Sequence, residues 1–436
     1  MCRKFKYRLF GPMFSWNKFL RYNPVMELLA PAGNLEKLKT AVRFGADAVY
    51  CGAGPYSLRV PEASLSPEEL AEGIRFARHH GSRVYLAMNI FPFDEDFDGM
   101  LAYFKKAVDM GIDAVIFSDP GLFYVLSRLE TGVEFHLSTQ ANTTNSESAR
   151  FWKEQGVSRI ILARELSLEQ VSAIKKQVPG IELEVFIHGA MCVAFSGRCL
   201  LSSILNGRSA NRGLCTQPCR WEYRLREVDR EEELAIHEDE RGSYILNSRD
   251  LCMIEHIPEL VAAGVDGLKI EGRMKTAYYV AAVTRIYRAA LDHYYDPAVS
   301  YEFDPRWREE LKKVPHRPYT TGFYFPDRDN KTEDTWKASP TRKYDFVGTV
   351  DEHNLDGNTI KIMARNRFSK GDTLEILEPT HVEVLKVKVD QIIDERTGIS
   401  LEQAHNSYVV RIPLTEKPGY KISRHSIVRS GGAENS

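Results

Sequence analysis

From Met26 onward, short apolar runs alternate with longer stretches in which apolar positions recur every three or four residues. The first pattern suits strands buried on both faces, the second helices with one buried side. Eight strands are predicted: Met26–Ala30, Ala48–Cys51, Val84–Asn89, Ala114–Ser118, Phe135–Thr139, Ile160–Ala163, Leu183–His188 and Gly267–Ile270. A weak internal repeat supports them. Phe44-Gly-Ala-Asp47-Ala-Val-Tyr50 is echoed by Met110-Gly-Ile-Asp113-Ala-Val-Ile116, by Gln155-Gly-Val-Ser158-Arg-Ile-Ile161 and by Ala263-Gly-Val-Asp266-Gly-Leu-Lys269. Each copy reads as a helix end, a glycine cap, a polar turn residue and a buried strand. Eight such units imply a closed, TIM-like (β/α)8 barrel over residues 26–299, with an open doubly wound sheet as the alternative.

The rhythm breaks between strands seven and eight. The connection from Gly189 to Asp266 (a cysteine-rich insertion, 189–266) leaves the C-terminal end of a barrel strand, the face where such barrels carry their chemistry. It is predicted to hold a hairpin pairing Trp221–Val228 with Ser243–Asn247, a solvated tip with eight acidic residues between Glu227 and Glu240, and a helix around Glu255–Ala263. Beyond strand eight, Thr276–Tyr294 has the spacing of a long amphipathic helix, and 300–343 reads as an extended linker or wrap. From Tyr344 to about residue 428 the pattern turns to short alternating strands: Phe346–Val350, Thr359–Met363, Thr373–Leu377, Val382–Val389, Ile399–Leu401 and Val409–Ile412. They predict a small all-β barrel.

Composition narrows the choices. The chain has 436 residues, 43% hydrophobic and 27% charged, with a formal net charge of −2, so nucleic-acid contact would need a local patch. The longest apolar run falls short of a membrane span. Residues 1–25 lack the apolar core of a secretory signal and read as a disordered arm, or as sequence upstream of a start at Met26. An odd count of seven cysteines fits a reducing cytoplasm better than a disulfide framework.

Four of those cysteines, Cys192, Cys199, Cys215 and Cys219, fall within 28 residues as C-x6-C-x15-C-x3-C. Thiolates bind soft metals, and four of them can close around zinc or an iron–sulfur cluster. Zinc knuckles are usually tighter, so the loose spacing favours a cluster; zinc and unligated thiols remain open. Cys51 reads as a packed small hydrophobe, and Cys252 as a core residue or a neighbour of the site. Six arginines (198, 208, 212, 220, 224, 226) lie in the same segment against one acid, Glu222. With Trp221 and Tyr223 among them, Arg198, Arg212 and Arg220 suit phosphate binding and base stacking on RNA. The alternative is a solvated loop paired with the acidic tip. In the β-domain, Lys361, Arg365, Arg367 and Lys370 are the corresponding candidates.

Alternation along strand seven sends Glu182, Glu184, Phe186 and His188 into the barrel. Buried carboxylates need partners. Lys269 and Glu271 on strand eight, and His136, Ser138 and Gln140 on strand five, are in position to supply them. Glu184, His188, His136, Lys269 and Glu271 are thus candidate catalytic groups, or members of a satisfied core network.

Several stretches resemble one family. They are Met26-Glu-Leu-Leu-Ala-Pro-Ala-Gly33, Tyr56-Ser-Leu-Arg59, Ser118-Asp-Pro-Gly121, Arg164-Glu-Leu-Ser167, Glu184-x-Phe186-x-x-Gly189-Ala-Met-Cys192, Ser196-Gly-x-Cys199-x-Leu201-Ser202, Arg220-Trp-Glu-Tyr223 and Lys269-Ile-Glu-Gly-Arg273. From Met26 to the end the chain is similar to the peptidase U32 family; the N-terminal arm is the one departure. The resemblance implies a 4Fe-4S cluster on Cys192, Cys199, Cys215 and Cys219. It implies 5-hydroxylation of the wobble uridine of certain tRNAs with prephenate as co-substrate, in the cytoplasm. It leaves room for a paralogous partner or a second copy of the chain. Relatives act on ribosomal RNA or quinone precursors, and some have been described as collagenases. Prephenate is a dicarboxylate, so Lys269 and Arg273, at a strand end, are candidates to bind it; a structural ion pair with Glu271 is the alternative. A peptidase is the first rival reading. His237-Glu238 lacks the second histidine of a zinc protease, and Gly-x-Ser-x-Gly is absent. A non-catalytic RNA-binding scaffold is the second.

Overall fold

The polar residue of the sequence repeat does structural work in every copy. The side chains of Asp47, Asp113 and Asp266 accept the backbone N–H of Leu28, Val84 and Leu183 on the neighbouring strand, at 2.9, 2.8 and 2.7 Å. In the remaining copy the Ser158 hydroxyl donates to the carbonyl of Phe135 at 3.2 Å. Each repeat therefore fixes the start of one strand against the next and sets the register of a parallel sheet.

A computed structural model describes residues 26–58, 64–192, 194–195, 198–218, 238–239, 242–243, 249–325, 344–379, 381 and 383–431. The sheet comprises β1 (Glu27–Ala32), β2 (Ala48–Gly52), β3 (Arg83–Met88), β4 (Ala114–Phe117), β5 (Glu134–Leu137), β6 (Arg159–Ile161), β7 (Glu182–Ala190) and β8 (Gly267–Ile270). Neighbours pair in order and in parallel, and β8 pairs with both β1 and β7, which closes an eight-stranded barrel. The open-sheet alternative is thereby excluded. Helices pack outside. The longest, Ala277–Tyr295, is buried over most of its length, as its position against the barrel wall requires.

The insertion is partly ordered on the barrel. A short helix, Leu201–Asn206, follows Cys199, and a strand, Asp250–Cys252, pairs antiparallel with the end of β7. A helix at Ile257–Ala262 matches the expected one. The predicted hairpin arm Trp221–Val228 lies outside the described residues. Part of the segment read as a linker or wrap lies against the barrel: the helix Pro305–Leu311 and the strand Tyr319–Thr320 dock there, burying Trp307, Leu311, Val314 and Tyr324.

The C-terminal domain is an eight-stranded antiparallel sheet, with a second, two-stranded one pairing Phe368–Ser369 with Gln403–Ala404, around its own core of Val347, Val350, Ile360, Ile362, Leu374, Ile376 and Val410. Strands Ile392–Asp394 and Ile427–Gly431 add to those predicted. Arg429 joins it to the barrel. Fully buried, it meets Glu375 in its own sheet at 2.6 Å, Glu310 of the barrel wall at 2.8 Å and the Tyr278 hydroxyl at 3.1 Å.

Candidate active site at the barrel mouth

The lumen has two ends. The lower one is a charge network. Arg159, from the start of β6, reaches Glu27 at 2.5 Å, Glu182 at 2.7 Å and Glu184 at 3.1 Å; Lys269 meets the other Glu184 oxygen at 2.8 Å. Arg83 and the Tyr85 hydroxyl also bind Glu27. Burial alone would raise the Glu27 pKa, but Arg159 and Arg83 outweigh it and hold the group at about 2. Glu184 behaves alike: burial opposes its charge, and Lys269 and Arg159 keep it ionised. Burial depresses Lys269, with Glu184 acting against it; the ammonium also lies 4.5 Å over the Tyr50 ring. His136, fully buried, contacts Glu134 at 3.1 Å and stays neutral, since desolvation lowers its pKa.

Of the candidate catalytic groups, Glu184, Lys269 and His136 thus lie together, each with a partner. Lys269 partners Glu184, as its inward position on strand eight suggested, and not Glu271, the alternative. Glu271 sits higher, within 3.2 Å of the Tyr50 hydroxyl. His188 departs from expectation. A register shift between β7 and β8 sets Lys269 opposite Phe186 but Ile270 opposite His188, which turns the histidine out of the lumen. It packs instead among Tyr279, Tyr287 and Tyr319, where burial pushes its pKa down to about 3.

The sequence held a missed signal for the network's centre. The four repeat copies place Ala48, Ala114, Arg159 and Gly267 at the same strand-start position. Three small residues clear the lumen for one arginine.

At the upper end, polar groups are less satisfied. The Ser57, Thr143, Asn142 and Gln140 side-chain oxygens and Arg164 Nε are buried without a hydrogen-bond partner, whereas among described floor side chains only His136 Nδ1 is. Over this end lies the first part of the insertion, held by two arginines. Arg212 forms a two-point ion pair with Asp96 (2.8 and 3.1 Å) and lies 4.6 Å over the Phe93 ring. Arg198 donates from Nε to the Gln140 carbonyl at 2.9 Å and lies 5.1 Å over Phe91. Asn211 adds a side-chain bond to the Cys199 amide at 3.1 Å. Predicted as a phosphate ligand, Arg212 is committed to Asp96; nothing local in the sequence links residues 116 positions apart. Arg220, Trp221 and Tyr223 lie outside the described residues. Lys361 is paired with Glu352 and Glu395, and Arg365 with Glu36, while Arg367 and Lys370 are exposed.

Cys192 ends the strand side of this segment and is exposed, as is Cys215; Cys199 is half-buried. Cys199 Sγ accepts the Leu201 amide and Cys215 Sγ the Gln217 amide, both at 3.4 Å, and the Ser202 hydroxyl reaches Cys215 Sγ at 3.8 Å. Amide-to-sulfur bonds of this kind stabilise thiolates that ligate iron. Among the described residues no three such ligands close on one point, and Cys219 lies outside them. The donor type of Cys192, Cys199 and Cys215 suits a soft metal.

A closed (β/α)8 barrel with a thiol-bearing segment strapped across its mouth and an antiparallel β-domain behind it defines the class. The family profile "Peptidase family U32" matches residues 33–334, and the profile of its C-terminal domain matches 342–429. The chain belongs to the peptidase U32 family. It is 40% identical over 392 residues to tRNA hydroxylation protein P1 of Bacillus subtilis, covering 90% of this chain and 92% of that one. It is 37% identical to a 23S rRNA 5-hydroxycytidine synthase of Escherichia coli, over 60% of this chain and 39% of that one. It is also 32% identical to a collagenase of Porphyromonas gingivalis, over 91% of this chain and 97% of that one. Among the described residues no helix is long and apolar enough to cross a membrane.

Proposed function

We propose that the chain is an RNA-hydroxylating enzyme, and that its reaction is the 5-hydroxylation of the wobble uridine in tRNA with prephenate as co-substrate, in the cytoplasm. One observation carries this reading: near full-length similarity to a protein named for tRNA hydroxylation, in a chain whose thiol segment roofs the barrel mouth. Cys192, Cys199, Cys215 and Cys219 would hold a 4Fe-4S cluster, with the Leu201 and Gln217 amides supporting two of the thiolates. Bound there, the cluster would supply redox or electrostatic chemistry, since four protein thiolates leave it no open coordination position. The chain's own residues do the rest. Arg198 and Arg212 hold the segment over the mouth, and the exposed Phe93 and Phe195 are surfaces on which an unpaired base can stack. Arg273, buried at the end of β8, is a cation for a carboxylate.

Nucleoside mass spectrometry of tRNA and rRNA from a strain lacking this chain tests the reading. Loss of 5-hydroxyuridine from tRNA, restored by the intact gene but not by a Cys199→Ala copy, is the expected result. Unchanged RNA, with gelatin cleavage by the purified protein, would favour the peptidase instead.

A further inference from the structure

Three motifs of the sequence meet at one point of the mouth. They are Pro31-Ala-Gly33 at the end of β1, Tyr56-Ser57-Leu58 after β2, and the end of Lys269-Ile-Glu-Gly-Arg273 after β8. The backbone crossing is close. A Cβ on Gly33 would stand 2.1 Å from the Arg273 carbonyl oxygen, and the Lys37 ammonium donates to that same oxygen at 3.3 Å. The Arg273 backbone is thereby fixed on the barrel rim.

Its guanidinium turns toward Gly52, the last residue of β2. Period-two alternation puts Gly52 on the same inward face as Tyr50, two residues below. An ideal Cβ at Gly52 would lie 2.6 Å from Ser57 Oγ, 2.6 Å from Ser64 Oγ and 2.8 Å from Arg273 Nη1. Two hydroxyls and a guanidinium thus converge above a bare Cα, where any side chain would collide with all of them. Ser57 is fully buried and its hydroxyl has no partner. A buried hydroxyl without a partner costs roughly 1–3 kcal/mol, and the cost is removed when an acceptor arrives. Arg273 is itself only 4% exposed, so an anion reaching it would be bound away from water, where a charge-assisted hydrogen bond is strong.

We infer that Gly52, Ser57, Ser64 and Arg273 form a carboxylate-binding cradle at the barrel mouth, built to hold one carboxylate of a small organic acid. Arg273 supplies the charge, Ser57 donates to a carboxylate oxygen, Gly52 supplies the space, and Ser64, whose hydroxyl donates to the Gly54 carbonyl at 3.2 Å, walls one side. The inference rests on the proposed function for the identity of the acid, but the cradle is defined by its own geometry. Its floor is closed: Tyr50 is engaged by the Ile270 carbonyl and Glu271. The bound acid therefore extends outward, toward the cysteine segment, and not down into the charge network.

Isothermal titration calorimetry on the full-length protein, prepared anaerobically, tests this with prephenate, pyruvate and inorganic phosphate as probes. Prephenate is expected to bind the unaltered chain. Ser57→Ala should weaken it about tenfold, the worth of one hydrogen bond to a charged group, Arg273→Lys should weaken it further, and Gly52→Ala should abolish it. Circular dichroism melts of the variants control for folding. Prephenate binding equally well to folded Gly52→Ala and Ser57→Ala chains overturns the cradle while leaving the proposed reaction standing. Binding of pyruvate but not prephenate, lost in Gly52→Ala, supports the cradle and removes prephenate from the proposed reaction. Binding of phosphate alone, or of none of the three, overturns it.

Discussion

The two ends of the barrel lumen solve the problem of burying polar groups in opposite ways. At the floor, Glu27, Arg159, Glu184 and Lys269 are each within salt-bridge distance of a partner of opposite charge, and Glu27 titrates far below an ordinary carboxylate. At the mouth, Ser57, Asn142, Thr143, Gln140 and Arg164 present buried polar atoms that nothing in the described structure satisfies. The same strands build both ends, so the strands do not explain the contrast. A saturated network has no capacity left for a ligand and acts as a strut. An under-satisfied one gains free energy when a ligand arrives. The lesson is that charge density alone misidentifies the site. The charges of the floor are paired, whereas the buried polar atoms of the mouth have no partner among the described residues.

Breaking the floor should have the largest effect. Arg159→Leu leaves Glu27 buried without its main counter-charge and Glu184 with Lys269 alone, and should cost about 3–5 kcal/mol in urea unfolding, or prevent folding altogether. A loss below ~1 kcal/mol would mean that the network is not a strut. Acid should act on the same site. The Glu27 pKa falls from 4.5 to about 2 on folding. A carboxylate depressed in this way stabilises above its unfolded pKa and loses that contribution as pH falls through the folded one. About 3 kcal/mol should therefore disappear between pH 4.5 and about pH 2, and Glu27→Gln should flatten that part of the unfolding-versus-pH curve. An identical acid limb in the variant would contradict the assignment.

Mouth variants should be gentler on stability. Arg212→Ala removes the two-point pair with Asp96, which is partly exposed, so about 1 kcal/mol or less is expected globally. Amide hydrogen exchange should nevertheless quicken through residues 198–218. Smallest of all is Ser57→Ala. Deleting a buried hydroxyl that has no partner should leave stability within ~0.5 kcal/mol or raise it slightly, as a thermal melt would show.

Much of this was legible in the chain. The barrel followed from near-continuous apolar strands and from a repeat whose aspartates prove to set strand register. Glu184 and Lys269 were placed inward by alternation alone. His188 was not recoverable: one register shift reverses a face, and nothing in Phe186-Ile-His188 announces it. Arg159 was visible only as the odd member of the repeat. The commitment of Arg212 to Asp96, and the meeting of Gly52, Ser57 and Arg273, depend on contacts between distant segments that no local pattern encodes. Residues 300–343 read as a linker or wrap because Pro, Asp, Lys and Thr are frequent in them, and Trp307 and Leu311 anchor the first part to the barrel.

The most direct measurement sets modification against stability in one variant. A strain lacking this chain is complemented with Gly52→Ala, and 5-hydroxyuridine in its tRNA is quantified by mass spectrometry, alongside a thermal melt of the purified variant. If the mouth is the working end, modification is lost while the variant still folds, its melt lowered only by the shift of Ser57, Ser64 and Arg273 that the added methyl forces. Full modification from a folded Gly52→Ala chain would contradict the account.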